Sequence, residues 1–196
     1  VKKIETNKQK LFIAILALFT AYLILTTIKY WYADYLYAES IEDSKNSEYL
    51  NAIDKLELSS KYFPGEPIFK VQLAEYYANL ALSESSNIYL NKSLNLLSES
   101  KESTLFNVKL LKQNANVYSD LSKLVSNYLY DENLTINNLQ KLAPTDASIS
   151  YMYAVSLAKL GKAKESVSQL EKTIQMKSDY KLARKLLGYL QEDLGN

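Results

Sequence analysis

Ser98 and Lys101 stand three residues apart in the stretch SESK. That is the spacing of a serine nucleophile activated by a lysine amine. Neither companion motif of such sites, SDN or KTG, occurs in the chain, and the segment is rich in Ser and Lys. Chance explains the spacing better than catalysis does. The next candidates are two carboxylate pairs, Glu42 with Asp43 and Asp131 with Glu132. Adjacent residues diverge on a helix, so neither pair is placed to share acid and base work, and both are expected to face solvent. The chain has no His and no Cys, which removes the commonest general base, the thiol nucleophiles and the soft-metal ligands. Four Gly in all cannot build a phosphate-cradling loop. Asn91 and Asn133 open the tripeptides NKS and NLT, which match glycan-acceptor sequons but are common by chance. No catalytic residue, cofactor site or metal site is predicted, and the chain reads as a non-enzyme.

The elements that must carry these residues are easier to read. The run 11–28, opening on Leu11 and closing on Ile28, has no charge, no Gly and no Pro; eleven of its eighteen residues are Leu, Ile or Phe. As a helix at 1.5 Å per residue it is about 27 Å long, close to a hydrocarbon core of roughly 30 Å. A buried core helix should show one polar face, and this run shows none. A cleaved signal peptide has a shorter apolar core, about 7–15 residues, with a small-residue site after it. Here the sequel is bulky: Tyr30, Trp31, Tyr32, Tyr35 and Tyr37. A retained transmembrane helix over 11–29 is predicted, with membrane lipid as its partner. The hydroxyls of Thr20, Thr26 and Thr27 are expected to bond back to their own helix. Tyr30 and Trp31, apolar rings with polar tips, suit the headgroup layer, and Tyr35 and Tyr37 are expected to start a protein core.

Orientation follows from the flanks. The basic segment 1–10 carries Lys2, Lys3, Lys8 and Lys10 against Glu5, whereas Lys29 is followed by Asp34, Glu39, Glu42 and Asp43. Lys and Arg mark the cytoplasmic side. The N-terminal flank is therefore expected in the cytoplasm and the remainder outside it, single-pass at a cytoplasmic membrane. The first residue is Val rather than Met, so the chain is expected to be processed or part of a longer one.

About 165 residues follow the span, enough for a domain with a real core. A net charge of +1 leaves no footprint for nucleic acid. Gly and Pro are scarce and no two-residue alternation persists, so the domain is expected to be helical. Internal repetition sharpens this. Gly161 and Gly195 are 34 residues apart, as are Ala154 and Gly188, Tyr153 and Leu187, and Leu160 and Leu194. Two antiparallel helices per repeat need a small residue where they cross, here Ala154 and Gly188. They also need a turn, here Gly161, where a positive φ is expected. Pro64 and Pro144 fall at repeat ends, where Pro stops a helix. Repeats are read as starting at Ala33, Pro67 and Ala147, with a closing helix from Lys181. Leu73, Ala74 and Tyr77 fill the large, small and aromatic positions of the second, and Ala52 lets the second helix of the first pack closely. The third repeat, 101–144, is read as irregular, with 12 extra residues and one long helix through STLFNVKLLKQNANVYSDLSKLVSNYLY.

On these residues the segment 33–195 resembles the tetratricopeptide repeat family. The expected fold is all-α: an N-terminal transmembrane helix followed by an α-solenoid of about four helix pairs plus a terminal helix. More particularly, the stretches YWYADYLYAES, FPGEPIFKVQLAEYYANLA and LAPTDASISYMYAVSLAKLGKAKESVSQLEKTIQMKSDYKLARKLLG resemble the last span and tail of O-antigen ligase-like bacterial membrane proteins. That resemblance implies a glycan-transferring region elsewhere, with none of its transferase residues in this chain. The repeat family's geometry implies a groove for a protein or peptide, lined here by Tyr37, Ile41, Ile68, Val71, Glu75, Asn79, Tyr151, Val155, Lys159, Lys185 and Tyr189. The set lacks the Lys and Arg clamp used against carboxylate tails. Charge is polarised: residues 30–102 carry 12 acidic and 6 basic side chains, residues from 103 on 12 basic and 9 acidic. Such a field could orient a partner or keep the domain soluble. The expected role is an interaction or assembly scaffold at the outer face of the membrane, as a subunit of a membrane complex. The alternative is the accessory tail of a polysaccharide ligase or polymerase.

Overall fold

The computed structural model describes residues 6–195. Among them are nine α-helices and no strand: α1 (Asn7–Lys45), α2 (Tyr49–Tyr62), α3 (Pro67–Glu84), α4 (Asn87–Thr104), α5 (Val108–Leu121), α6 (Tyr128–Leu142), α7 (Ala147–Lys159), α8 (Ala163–Met176) and α9 (Lys181–Gly195). This is the expected architecture of four helix pairs and a closing helix. The described residues form two compact units, one ending at Phe69 and the other beginning at Lys70.

In the first unit, α1 begins at a reciprocal cap: Gln9 N donates to Thr6 Oγ1 at 3.3 Å, and Thr6 N donates to Gln9 Oε1 at 3.2 Å. Two orphan donors of the first turn are thereby satisfied. The helix then runs 39 residues without a break, about 58 Å at 1.5 Å per residue. The run 11–28 lies exposed except for half-buried Thr26. Thr20, Thr26 and Thr27 donate to the carbonyls of Leu16, Tyr22 and Leu23 at 2.8, 2.8 and 2.9 Å, as expected. Of the basic flank, residues 1–5 lie outside the described residues; Lys8 and Lys10 are exposed on the first turns of α1. Among the described residues the first buried one is Ala33, where the sequence begins its first repeat. From there α2 packs antiparallel on α1, burying Leu36, Ile53 and Leu56. Ala52 is fully buried, which is the close approach its size predicts. Ser59 Oγ donates to Ala33 O at 2.7 Å, and Lys55 Nζ reaches Asp43 at 2.8 Å and Glu39 at 3.4 Å.

In the second unit each hydrophobic cluster is shared by neighbouring pairs. Ala74, Ala78, Ala81, Leu90, Leu97, Val117 and Leu121 join α3, α4 and α5. Leu111, Leu139 and Ile149 join α5, α6 and α7, and Ala154, Leu170 and Ala183 join α7, α8 and α9. No pair could bury its apolar face alone, so the stack is the unit of stability.

Three of the turns inside pairs share one device. Ser47, Ser85 and Gly161 have φ of 63°, 51° and 74°. The following amides, Glu48 N, Ser86 N and Lys162 N, return to the carbonyls of Asp43, Ala81 and Leu157 at 2.9, 3.1 and 3.0 Å. These six-to-one bonds satisfy carbonyls that the helix end leaves open, and they need one left-handed residue each. The expected positive φ at Gly161 is present; the two serines do the same work at a steric cost.

Three expectations are corrected. The stretch from Ser103 to Tyr130 is not one helix. Asn107 caps α5, its Oδ1 accepting from Leu110 N at 3.1 Å, and α5 stops at Leu121. The extra residues are not confined to the third repeat: first helices begin at 67, 108, 147 and 181, so spacings are 41, 39 and 34. The first excess lengthens α3 and α4 to 18 residues each, and the second opens the six-residue connection 122–127. Gly188 does not sit in a close crossing like Ala154; it is exposed, with open space where a Cβ would stand. No described helix follows α9 to cross it there.

Candidate functional site

The first helices of the second unit, α3, α5 and α7, are bridged edge to edge by polar side chains. Gln113 Nε2 of α5 donates to Gln72 Oε1 at 2.8 Å and to Glu75 Oε2 at 2.6 Å on α3. Gln72 Nε2 also donates to Glu75 Oε2, and Asn79 Nδ2 to Glu75 O. Lys112 Nζ of α5 reaches Ser148 Oγ of α7 at 3.1 Å. Lys159, near the end of α7, donates to Ser119 Oγ at 2.7 Å and to both oxygens of Glu132 on α6 at 2.8 and 3.1 Å. The Glu132 side chain is only 5% exposed, that of Lys159 35%. These contacts tie neighbouring pairs and leave half-buried amide and hydroxyl groups along one face. Such a face offers hydrogen bonds to an extended or helical segment.

The sequence-derived groove residues divide accordingly. In the first unit Tyr37, Ile41 and Ile68 are half-buried, and the Tyr37 ring lies 5.4 Å from that of Phe69. In the second unit Glu75, Asn79 and Lys159 belong to the polar bracing just described. Val71 is fully buried, a core position. Val155 and Tyr151 are half-buried. Tyr151 packs on Tyr180 at 5.2 Å, and burial, followed by the neighbouring Tyr180, pushes its phenol above the ordinary range. On α9, Lys185 lies over the exposed Tyr189 ring at 5.8 Å, a cation–π contact. Sequence reasoning missed Gln72, Lys112, Gln113 and Ser119, three of them in the repeat read as irregular, and Glu132, expected to face solvent, is buried instead. The signal that could have found them is Asn107 before Val108, a side-chain cap that starts α5 and sets its register.

The residues weighed for catalysis do not converge. Ser98 and Lys101 are both exposed on α4. Lys101 and Asp131 line a cavity of 80 Å³ among α4, α5 and α6, together with Thr104, Asn114, Tyr118 and several leucines, but Ser98 does not. Asn114 Nδ2 donates to Thr104 Oγ1 at 3.2 Å. Burial, then the charge of Asp131, raises the Tyr118 phenol above its usual value. Glu132 is taken up by Lys159, Glu42 by Lys45 at 3.0 Å and Asp43 by Lys55. Asn133 of the second sequon donates to Ser156 Oγ at 2.8 Å, whereas Asn91 is exposed. Among the described residues no group of three or more acidic, His or Cys side chains could hold a metal ion.

No family model matches the chain, and no curated protein matches it. Solved structures do. A MamA RS-1 double mutant superposes with a TM-score of 0.65 at 12% identity, over 84% of this chain and 86% of that one. TTC0263, described as a thermophilic TPR protein of Thermus thermophilus, gives 0.61 at 16%, over 83% of each chain. A further MamA crystal structure gives 0.58 at 16%, over 87% of this chain and 82% of that one. Helix order, paired packing and these likenesses together make the fold an α-solenoid of tetratricopeptide type.

Proposed function

We propose that this chain is a membrane-anchored scaffold that holds a protein or peptide partner. Its span is the apolar part of α1, with the N-terminal flank in the cytoplasm and the repeats on the outer face of a cytoplasmic membrane. The observation that carries this reading is the continuity of α1. One helix presents an uncharged apolar stretch with none of it buried, then passes without a break into the first buried helix pair at Ala33. Leaving that many Leu, Ile and Phe side chains in water opposes everything that folds the rest of the chain, at roughly 25 cal/mol per Å² of apolar surface. Lipid removes that cost. The partner face is the line of first helices braced through Glu75, Gln113 and Lys159, with Tyr151, Val155, Lys185 and Tyr189 continuing it. The solved tetratricopeptide-type neighbours support a binding role for such a face.

The test combines sidedness with capture. A phosphatase fused after Asn196 should be active and a fluorescent-protein fusion there dark, with the chain retained in membranes after carbonate washing. A photo-crosslinking residue at Val155 or Tyr189 should then trap a discrete partner that the same residue at exposed Asn91 does not. An active cytoplasmic reporter after Asn196 overturns the orientation, and release by carbonate overturns the anchor.

The resemblance to O-antigen ligase-like tails supports a second reading, an accessory tail beside a glycan-transferring region. The fusion of span and repeats in one helix fits it equally well. Deleting the codons for residues 33–195 separates the two. Loss of surface-glycan ligation favours the tail, and loss of a crosslinked protein partner with glycans intact favours the scaffold.

A further inference from the structure

The aromatic residues after the apolar run do not belong to α1 alone. The Tyr30 ring lies 4.5 Å from Phe63, and Tyr32 meets Tyr62 edge-on at 5.3 Å. Trp31 and Tyr32 each stack toward Tyr35, at 6.2 and 6.3 Å. Two segments far apart in sequence thus supply two sets of ring contacts, joined into one cluster at adjacent Tyr62 and Phe63; Phe63 also lies 6.3 Å from buried Phe69. Tyr32 and Phe63 are half-buried, whereas Trp31 is 66% exposed, Tyr35 49%, Tyr30 44% and Tyr62 36%.

From these contacts we infer that the end of α2, with Tyr62 and Phe63, sits in the lipid headgroup layer beside Tyr30 and Trp31, so that the first helix pair is seated on the membrane at two points. The inference rests on the reading of 11–28 as a membrane span and extends it to a second element.

The argument is one of depth. Because α1 is unbroken, Tyr30 stands only about 3 Å along the axis beyond Ile28, at the edge of the hydrocarbon if 11–28 fills it. A ring 4.5 Å from Tyr30 cannot lie far from that level. α2 is held there by Ser59, which bonds to Ala33 one turn above Tyr30, and the helix ends at that level, where Phe63 N donates to Ser59 O at 2.9 Å. The chemistry matches the place. Tyr, Trp and Phe rings are favoured where acyl chains meet headgroups. Exposed Lys29 and Lys61 stand next to the cluster on the two helices, with stems long enough to carry their ammoniums out to phosphate. A span by α1 alone would leave that helix free to tilt and rotate in the bilayer, whereas a two-point seat sets which way the first pair faces.

Trp31 is the chain's one tryptophan, so depth can be read by fluorescence. Four forms of the full chain are placed in phosphatidylcholine vesicles whose lipids carry bromine either near the acyl carbonyl or near the chain end. They are the wild type, and Trp31→Phe combined with Leu16→Trp, with Phe63→Trp or with Tyr62→Trp. The Leu16→Trp form reads the span, and its emission should be quenched most by chain-end bromine. Wild type and the Phe63→Trp form should each lose more emission to carbonyl-end bromine than to chain-end bromine, as indoles seated in the headgroup layer do. The Tyr62→Trp form is a second reporter if Phe63→Trp disturbs the Tyr30 packing. Quenching of Leu16→Trp with red, unquenched emission from both α2 reporters overturns the second seat and leaves the anchor standing. Failure to quench Leu16→Trp overturns the anchor itself.

Discussion

Ser166 Oγ donates a hydrogen bond of 2.8 Å to the main-chain carbonyl of Ala154, across the crossing of α7 and α8. The same link recurs from Ser93 to Ala74 at 2.7 Å and from Ser59 to Ala33 at 2.7 Å. All six residues are fully buried. A serine is small enough for two backbones to approach and polar enough to grip the one it meets.

Replacing one of these serines by Ala should therefore cost a single net hydrogen bond. Ser166→Ala is expected to lose about 1 kcal/mol, since the Ala154 carbonyl keeps its helical donor. Ala154→Leu should cost several times more, because the added bulk has no room and forces the helices apart. Urea unfolding of the full chain in mild detergent, followed by circular dichroism, measures both. Equal losses would mean that the crossing is not tight.

Lys159 and Glu132 form an asymmetric pair: the carboxylate is enclosed while the ammonium is partly open. Lys159→Met should cost about 2 kcal/mol, less than a fully enclosed pair because water still reaches the lysine side. Adding Glu132→Leu should recover most of the loss, giving a coupling above about 1 kcal/mol in a double-mutant cycle. Additive losses would show that the pair does not brace α6 against α7.

The left-handed turn residues make a prediction of opposite signs. Ser85 holds φ 51° with a side chain that disfavours it, whereas Gly161 holds φ 74° without strain. Ser85→Gly should raise stability by roughly 0.5–1 kcal/mol and Gly161→Ala should lower it by about 1 kcal/mol. Thermal unfolding midpoints of the two variants check this directly.

Tyr118 should make stability fall in alkali. Burial, then the charge of Asp131, holds its phenol above the ordinary 10.0. Below that value both folded and unfolded chains carry the proton, and the contribution is fully present. As pH rises past it the unfolded chain loses the proton first, so stability declines until the folded phenol ionises too. Tyr118→Phe should show a shallower decline than wild type between about pH 9 and about pH 12, a range set by the usual tyrosine value. Parallel declines would assign the loss to other groups.

Much of this architecture was legible from residue types. Ala33 marks the first buried position of α1, Ala52 and Ala154 lie fully buried at crossings, and Gly161 takes its left-handed turn, because small size and positive φ are properties of single residues. The misreadings share a cause. The 34-residue rule fails between Pro67 and Ala147, where α3 and α4 are long and a connection is open, so α5 had no register and Gln113, Lys112 and Ser119 went unnoticed. Gly188 was read by analogy with Ala154, yet a small residue becomes a crossing only when another helix arrives.

Composition and spacing alone determined that this chain is helical, repeats in pairs and carries one uncharged apolar run, because those follow from side-chain size, charge and period. Only tertiary packing decided that Ser59 reaches the Ala33 carbonyl, that Glu132 is enclosed by Lys159, and that Phe63 returns to Tyr30. Each of these depends on segments distant in the chain meeting at a set distance, and no local preference of a residue encodes a distance.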